Sequence, residues 1–232
     1  MSIAVIPARG GSKRIHRKNI KKFNGLPIIA YAIRAAQNSN VFDEILVSTD
    51  DNEIAEIARS FGATVPWMRP IELSGDHTTT VEVMQHAALQ LNLSAGSTEN
   101  ICCLYPTTPL LELEFLITGL KEITSGDWDY VISATQVEAH PSRFLYLNSQ
   151  NAIQLYFPEN ETSRTQDVPK TYCDAGQFYW GKSTAWASGM PIFSSNSTII
   201  ELPPSVGVDI DTDQDWSYAE KLYKKRHGSA ND

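Results

Sequence analysis

IAVIPARGGSKRIHRKNIKK, residues 3–22, is the stretch of the chain on which the predicted fold and function both depend. Its first four residues form an apolar run typical of a buried strand, and Pro7 ends that run. A glycine pair and a tract of basic side chains follow, in a chain whose formal net charge is −8. Glycines let backbone N–H groups approach an anion, and clustered cations hold it. The stretch therefore predicts a strand that leads into a phosphate-binding loop, with a solvated basic loop as the alternative.

Two common phosphate-binding motifs do not fit this loop. A Walker A loop needs G-x-x-x-x-G-K-[ST], and Lys13 follows Ser12 without that spacing. A dinucleotide fingerprint needs G-x-G-x-x-G, which the loop lacks. A different class of nucleotide-binding protein is therefore expected.

Length and composition bound the class of protein. The chain has 232 residues and 42% hydrophobic residues, which predicts a single folded domain over residues 1–232. No apolar run approaches about 20 residues, so we expect no membrane span. Met1 and Ser2 lead directly into the first strand, which predicts no signal peptide and a cytoplasmic protein. The acidic balance argues against nucleic-acid binding.

The three cysteines, Cys102, Cys103 and Cys173, do not form a disulfide framework, because the count is odd and two are adjacent. Cys102 and Cys103 fall in an apolar run and are predicted to be core residues. A reducing compartment agrees with this usage.

Strand-like and helix-like segments alternate along most of the chain. The pattern predicts strands at 3–6, 44–49, 63–65, 100–104, 130–134 and 206–211. It predicts helices at 28–36, after residue 50, and at 81–93, 112–124 and 212–226. Short connections between alternating elements are typical of a largely parallel α/β sheet with right-handed crossovers. Residues 137–169 lose the alternation, and 146–156 read as two strands joined by a polar turn, a hairpin insertion.

Acidic residues near two strand ends are candidate ligands. Asp50 either caps the following helix, with Glu53 three residues later, or contacts a metal or ribose. On a strand Asp209 and Asp211 would share one face about 7 Å apart. This arrangement favours Mg²⁺ binding over the alternative, an acidic strand end without a ligand. Thr212 is predicted to cap the last helix, with Asp213 and Asp215 in its first turn.

The motifs resemble those of the cytidylyltransferases that activate nonulosonic acids (sialic, legionaminic and pseudaminic acid). Ala8 to Lys13 with Arg17-Lys18-Asn19 resembles the family's first motif, although His16 stands where proline is usual. R-P-x-E-L from Arg69, P-T-x-P from Pro106, H-P-x-R to Arg143 and D-I-D from Asp209 follow in family order. The resemblance implies a Rossmann-like three-layer nucleotide-diphospho-sugar transferase fold with a mostly parallel sheet.

The resemblance also implies roles for individual residues. Catalytic roles fall on Arg9, Lys18, Asp209 and Asp211, and the last two would hold Mg²⁺. Nucleotide contacts fall on Ala8, Arg9, Gly10, Gly11, Ser12, Lys13, Asn19, Arg69 and Thr80. Sugar contacts fall on Tyr105, Arg143, Arg164, Gln166, Tyr172, Gln177 and Tyr179. The insertion at 137–169 is expected to form a homodimer, in which Arg143 reaches the partner's site.

The implied reaction joins CTP to a sugar acid and releases pyrophosphate. The segment D-A-G-Q-F-Y-W, from Asp174 to Trp180, resembles the pseudaminic-acid branch, and Tyr105 replaces the glutamine of sialic-acid enzymes. A sialic- or legionaminic-acid enzyme is the alternative, and a non-catalytic nucleotide-binding protein is an alternative of another class. No general base is evident, because His16 and His77 read as surface residues of polar loops.

Overall fold

The computed structural model describes residues 1–94, 96–137, 141–160 and 169–228. In these ranges the strands are β1 (Ser2–Pro7), β2 (Lys22–Phe23), β3 (Leu26–Pro27), β4 (Glu44–Ser48), β5 (Asn100–Leu104), β6 (Tyr130–Gln136), β7 (Leu145–Leu147), β8 (Ile153–Leu155), β9 (Tyr172–Lys182) and β10 (Ser197–Leu202). The α-helices are α1 (Ile29–Ser39), α2 (Asn52–Ser60), α3 (Thr80–Gln90), α4 (Leu113–Ser125), α5 (Ser183–Ala187) and α6 (Asp213–His227).

A six-stranded sheet in the order β10-β6-β9-β5-β1-β4 forms the centre of the molecule. β1 pairs in parallel with β4 and β5, and β10 pairs in parallel with β6. β9 lies between β5 and β6 and is antiparallel to both. The mostly parallel α/β architecture predicted from the sequence is therefore confirmed.

Helices cover both faces of the sheet, because its strands are apolar on both sides. Ala4 and Ile6 of β1 pack into one core cluster with residues of α1, α2 and α4. Ile3 and Val5 point to the other face and pack with residues of α3 and α5. Burial of each of the larger side chains, Ile3, Val5 and Ile6, contributes about 1.5–3 kcal/mol, so the alternation fixes β1 in the middle layer of a three-layer domain.

The two adjacent cysteines follow the same alternation. Cys102 packs into the cluster that contains α1, and Cys103 packs into the cluster on the opposite face. Both are fully buried, which confirms their predicted place in the core, whereas Cys173 is exposed.

The carboxyl ends of β1, β4, β5, β6 and β10 meet at one edge of the sheet, because these strands run in the same direction. In open α/β sheets ligands bind in the crevice outside these ends. The loops that follow β1, β4 and β5 therefore converge at one place.

Three predicted elements differ from the structure. Residues 63–65 do not form a strand, since Thr64 makes only an isolated bridge, to Leu46. Pro66 comes soon after and has no N–H with which to extend the pairing. Residues 206–211 are not a strand either: β10 takes the sheet position, and Pro203 and Pro204 end it. The helix predicted at 81–93 spans Thr80–Gln90, one residue earlier at its start.

The predicted hairpin is present as β7 paired with β8. Its side chains are largely exposed, with Leu147 64% and Ile153 68% accessible to solvent. None of the helices in the described ranges is long and apolar enough to cross a membrane.

Candidate active site

A cleft of about 250 Å³ opens at the carboxyl edge of the sheet. The basic loop after β1 forms one wall, and the loop before α3 forms the other. The lining residues include Arg9, Ser12, Lys13, Arg14, Lys18, Asn19, Arg69, Gly75, Asp76, Thr79, Thr80, Tyr105 and Asp211. Most of the predicted nucleotide-binding residues thus share one cavity.

The basic loop is fastened to the end of β4 by hydrogen bonds. Ala8 donates its N–H to the Ser48 carbonyl at 2.9 Å, and Gly10 donates its N–H to Asp50 Oδ1 at 3.0 Å. The Asn19 amide donates to the Arg9 carbonyl at 2.9 Å. Because the Gly10 N–H is engaged, Gly11, whose surroundings are open, is the glycine with backbone free to approach an anion.

Asp50 does not cap the helix that follows it. Asp51 is the N-cap of α2 and accepts the N–H of Ile54 at 3.0 Å. Asp50 instead holds the basic loop through Gly10, a contact between distant segments that the local pattern does not encode. Arg17 makes two hydrogen bonds to Asp51, at 3.0 and 3.1 Å, and holds the pKa of that carboxyl below its ordinary value.

Four cations of the basic loop face two carboxylates in the cleft. Arg9 lies 3.0 Å from Asp76, and Lys13 pairs with the same carboxylate. Arg14 lies 2.8 Å from Asp211 Oδ2, and Lys18 lies 3.2 Å from Asp211 Oδ1. The amino-terminal loop and the segment after β10 therefore meet, as the predicted function requires.

Arg69 is buried beneath the cleft, with 3% of its side chain exposed. Its Nη2 lies 3.8 Å from Asp50 Oδ1, and its Nε and Nη2 atoms have no hydrogen-bond partner among the described residues. Burial lowers the pKa of the guanidinium. Buried donors without partners are costly, so Arg69 is prepared to donate to a ligand.

Thr80 and Tyr105 line the cleft beside α3. The hydroxyls of Thr80 and Tyr105 are 2.7 Å apart. The Tyr105 ring meets the edge of Tyr179 at 5.4 Å, and the Tyr179 hydroxyl donates to Asp174. Burial raises the pKa of both tyrosines, which therefore stay protonated donors at neutral pH.

Gln177 does not project into the cleft as a free sugar ligand. It is 1% exposed, and its amide donates to the carbonyls of Ala175 at 2.8 Å and Val208 at 3.1 Å. It therefore ties β9 to the segment that carries Asp209. Its Oε1 atom is a buried acceptor without a hydrogen-bond partner among the described residues, and the sugar contact of Gln177 stays a prediction.

Asp209 lies against Gly176 of β9, where a Cβ atom at residue 176 would be 3.2 Å from the carboxylate carbon. Although Asp209 has solvent access, crowding desolvates the carboxylate, and Asp211 repels it. These two effects raise the pKa of Asp209 to about 6. The pair thus interacts electrostatically even though the predicted strand is absent.

Replacing Asp209 with asparagine should raise the free energy of unfolding at pH 7.5 without metal. The folded-state pKa of about 6 lies above the ordinary carboxyl value of 3.8, so the charged carboxylate destabilises the fold above about pH 6. The gain should shrink as pH falls from 6 and vanish below about 4, where both states are protonated. Urea unfolding of both proteins at pH 4 and 7.5 measures this. A gain that is equal at both pH values would contradict the assigned cause.

Other predicted sugar residues lie elsewhere or outside the described ranges. Tyr172 is exposed and donates to Glu201 at 3.2 Å, and Arg143 lies on the exposed turn before the hairpin. Arg164 and Gln166 lie outside the residues that the structure describes. Sequence reasoning assigned no role to Arg14, Asp76 or Asp174. Asp76 lies just after the motif R-P-x-E-L, and Asp174 is the first residue of D-A-G-Q-F-Y-W. Their position at these motifs is the sequence signal that could have identified them.

The residues present fit one hydrated Mg²⁺. Across the described part of the chain, no cluster of three or more His, Cys, Asp or Glu side chains forms a closed metal cage. Mg²⁺ commonly keeps several waters and takes one or two carboxylates plus substrate phosphates. Asp211, which lines the cleft, and Asp209, two residues earlier, provide such a donor set.

Comparisons with known proteins identify the family. The model of the family described as Cytidylyltransferase matches residues 3–231. The pseudaminic acid cytidylyltransferase of Campylobacter jejuni is 41% identical over 229 residues, which cover 99% of each chain. N-acylneuraminate cytidylyltransferase B of Danio rerio is 35% identical, over 94% of this chain and 50% of that protein.

A solved CMP:2-keto-3-deoxy-manno-octonic acid synthetase complexed with CTP shares the fold. Its TM-score is 0.72 at 17% identity, over 97% of this chain and 99% of that one. The fold class predicted from the sequence is therefore confirmed. The family match extends over nearly the whole chain, and the sequence motifs occur in the order typical of the family. This chain therefore belongs to the cytidylyltransferase family.

Proposed function

We propose that the chain joins CTP and pseudaminic acid to give CMP-pseudaminic acid and pyrophosphate, for a bacterial surface or flagellar glycan. The observation that carries this proposal is the meeting of the basic loop with Asp211 across one cleft. The similarity to the Campylobacter jejuni enzyme over 99% of both chains supports the choice of sugar. The shared family supports the use of CTP.

The triphosphate fits the cationic end of the cleft, where Arg9, Lys13, Arg14 and Lys18 cluster and the Gly11 backbone is open. The cytosine then lies toward Thr80 and buried Arg69. The unpartnered donors of Arg69 suit an acceptor on the base. Asn19 acts by holding the Arg9 carbonyl and hence the loop.

In the reaction, the anomeric hydroxyl oxygen of the sugar acid attacks the α-phosphorus of CTP. A new P–O bond forms, the bond to the β-phosphate oxygen breaks, and the hydroxyl proton is lost to solvent or a base. Lys18, Arg14, Arg9 and Lys13 neutralise the leaving pyrophosphate, and positioning with charge neutralisation supplies most of the catalysis. Mg²⁺ held by Asp209 and Asp211 would supply further neutralisation of the phosphate oxygens.

The sugar acid fits the part of the cleft beside Tyr105. Tyr105 presents a protonated hydroxyl there, and its ring packs against Tyr179 of β9, whose hydroxyl donates to Asp174. Acetamido and hydroxyl groups of a keto-sugar acid are partners for such groups. Sialic or legionaminic acid is the alternative substrate.

We further propose a homodimer in the cytoplasm. The hairpin exposes apolar side chains at both strands, and a two-stranded ribbon rarely stands alone in water. A second copy would cover this surface and bring Arg143 to a neighbouring site.

Sedimentation should give twice the mass of one chain. Mixing Arg143→Ala with Asp209→Asn protein should restore part of the activity if sites are shared, and no recovery would argue for self-contained sites.

A pyrophosphate-release assay with CTP and a panel of keto-sugar acids tests the proposal. Pseudaminic acid should give the largest kcat/KM, and UTP should substitute poorly for CTP. Highest turnover with sialic or legionaminic acid would select the alternative sugar. Tight CTP binding without turnover on any sugar would favour a non-catalytic nucleotide-binding protein.

A further inference from the structure

The cations that the proposed function assigns to the triphosphate already hold an anion supplied by the chain itself. Asp76 lies in the loop between the turn Ile71–Leu73 and α3, and its carboxylate contacts both Arg9 and Lys13. All three residues line the same cleft. We propose that Asp76 is an internal competitor of the nucleotide's phosphates, which must displace it from Arg9 and Lys13 to bind.

The contacts of Arg9 show how the carboxylate is delivered. Arg9 Nη1 donates to the Gly75 carbonyl at 2.8 Å and lies 3.0 Å from Asp76 Oδ1. Two adjacent residues of one loop therefore converge on one guanidinium, although they lie 66 and 67 positions away in the sequence. The loop is thereby drawn across the cleft onto the phosphate-binding loop.

The Asp76 carboxylate and a phosphate group would interact with Arg9 and Lys13 in the same way. Guanidinium and ammonium groups bind carboxylate and phosphate oxygens by the same charge-assisted hydrogen bonds. A carboxylate carries one charge, whereas a triphosphate or pyrophosphate carries several, so the phosphates win the exchange. The carboxylate stays ionised at neutral pH, because Lys13 and Arg9 hold its pKa below its ordinary value.

The solvent exposure of Asp76 and Lys13 keeps the free-energy cost of replacing the carboxylate by a phosphate low. Asp76 keeps 38% of its side chain exposed and Lys13 keeps 79%, and exposed ion pairs are weak. Asp76 thus pairs these cations without trapping them. Release of Asp76 also frees the loop that ends at Thr79, the N-cap of α3, directly before Thr80 of the cleft.

Binding of inorganic pyrophosphate to the full chain, measured by calorimetry without metal or sugar, tests the proposal. Asp76→Asn should bind pyrophosphate about threefold to tenfold more tightly than the unmodified protein, because the competitor is removed. Glu72→Gln is the matched control. It removes one negative charge from the turn directly before the loop of Asp76, and Glu72 makes no ion pair with any residue in the described ranges. This control should change affinity less than about twofold.

Equal or weaker binding by Asp76→Asn would overturn the proposal, because it would mean that Asp76 holds the cations in place for phosphate. An equal gain from Glu72→Gln would also overturn it, by showing a general charge effect. Asp76→Ala, with melting temperatures of all variants, separates competition from misfolding, and both Asp76 variants should bind alike. The inference rests on the proposed function for its phosphate site. Pyrophosphate binding without a difference between the proteins sinks the inference alone, whereas the proposed function fails if no keto-sugar acid gives pyrophosphate release from CTP with Mg²⁺ present.

Discussion

Replacing Asp211 with asparagine should reduce pyrophosphate release from CTP at least about a hundredfold. The carboxylate is the meeting point of Lys18 and Arg14 and is one of two candidate Mg²⁺ ligands. Asparagine keeps the shape but loses the charge. The fold should survive, because Asp211 lies in a half-buried loop at the cleft rather than in the core. Turnover is measured by coupled pyrophosphate detection across a range of Mg²⁺ concentrations.

Asp213→Asn is the control for this change. Asp213 lies two residues later, is exposed, and pairs with Lys21 at 3.1 Å outside the cleft lining. It should retain near-normal activity. Near-normal turnover by Asp211→Asn would refute the metal assignment, and a large loss in Asp213→Asn would show that the helix start, not the charge at Asp211, matters.

Replacing Arg69 with methionine should weaken CTP binding about tenfold to a hundredfold without lowering the melting temperature. Its guanidinium is 3% exposed and has donors without partners among the described residues. An apolar side chain of similar length removes the desolvation cost of the buried, unpartnered donors. The fold should therefore gain or keep stability while the ligand loses a buried donor. Calorimetry with CTP and thermal unfolding measure the two effects.

Arg59→Met provides the comparison for Arg69. Arg59 is exposed in α2 and donates to the Val65 carbonyl at 3.3 Å, away from the cleft. Its replacement should leave CTP affinity unchanged. If Arg69→Met bound CTP normally, the base would not contact Arg69. If it melted much earlier, the contact with Asp50 would be structural.

The sequence predicts features that depend on local pattern. The apolar run of β1, its glycine-rich continuation and the alternation of strands and helices all follow from neighbouring residues. Thr212 was identified as a cap, and its capping box with Asp215 is present. Phe178 and Trp180 are buried, in agreement with their apolar character.

Features that depend on distant segments were not predictable in the same way. Asp50 and Asp51 are equally good caps locally, and only the approach of Gly10 to Asp50 separates their roles. The approach of Asp76 to Arg9 likewise depends on the packing of loops far apart in the chain. A local signal was also missed: Asn24-Gly25 is a typical hairpin turn, with φ of 42° and 92°, and it joins β2 to β3 before α1.

The position of β9 has a consequence for how the molecule is made. This strand fills the gap between β5 and β6, so among the described strands the two halves of the sheet are joined by residues 172–182 alone. During synthesis the ribosome must release almost four-fifths of the polypeptide before that gap can close. Pairings over such separations form slowly. A nascent chain ending before Tyr172 would already carry its basic loop, yet it would lack the strand that joins the sheet and the carboxylates of Asp209 and Asp211, so catalytic competence should arise late in biogenesis.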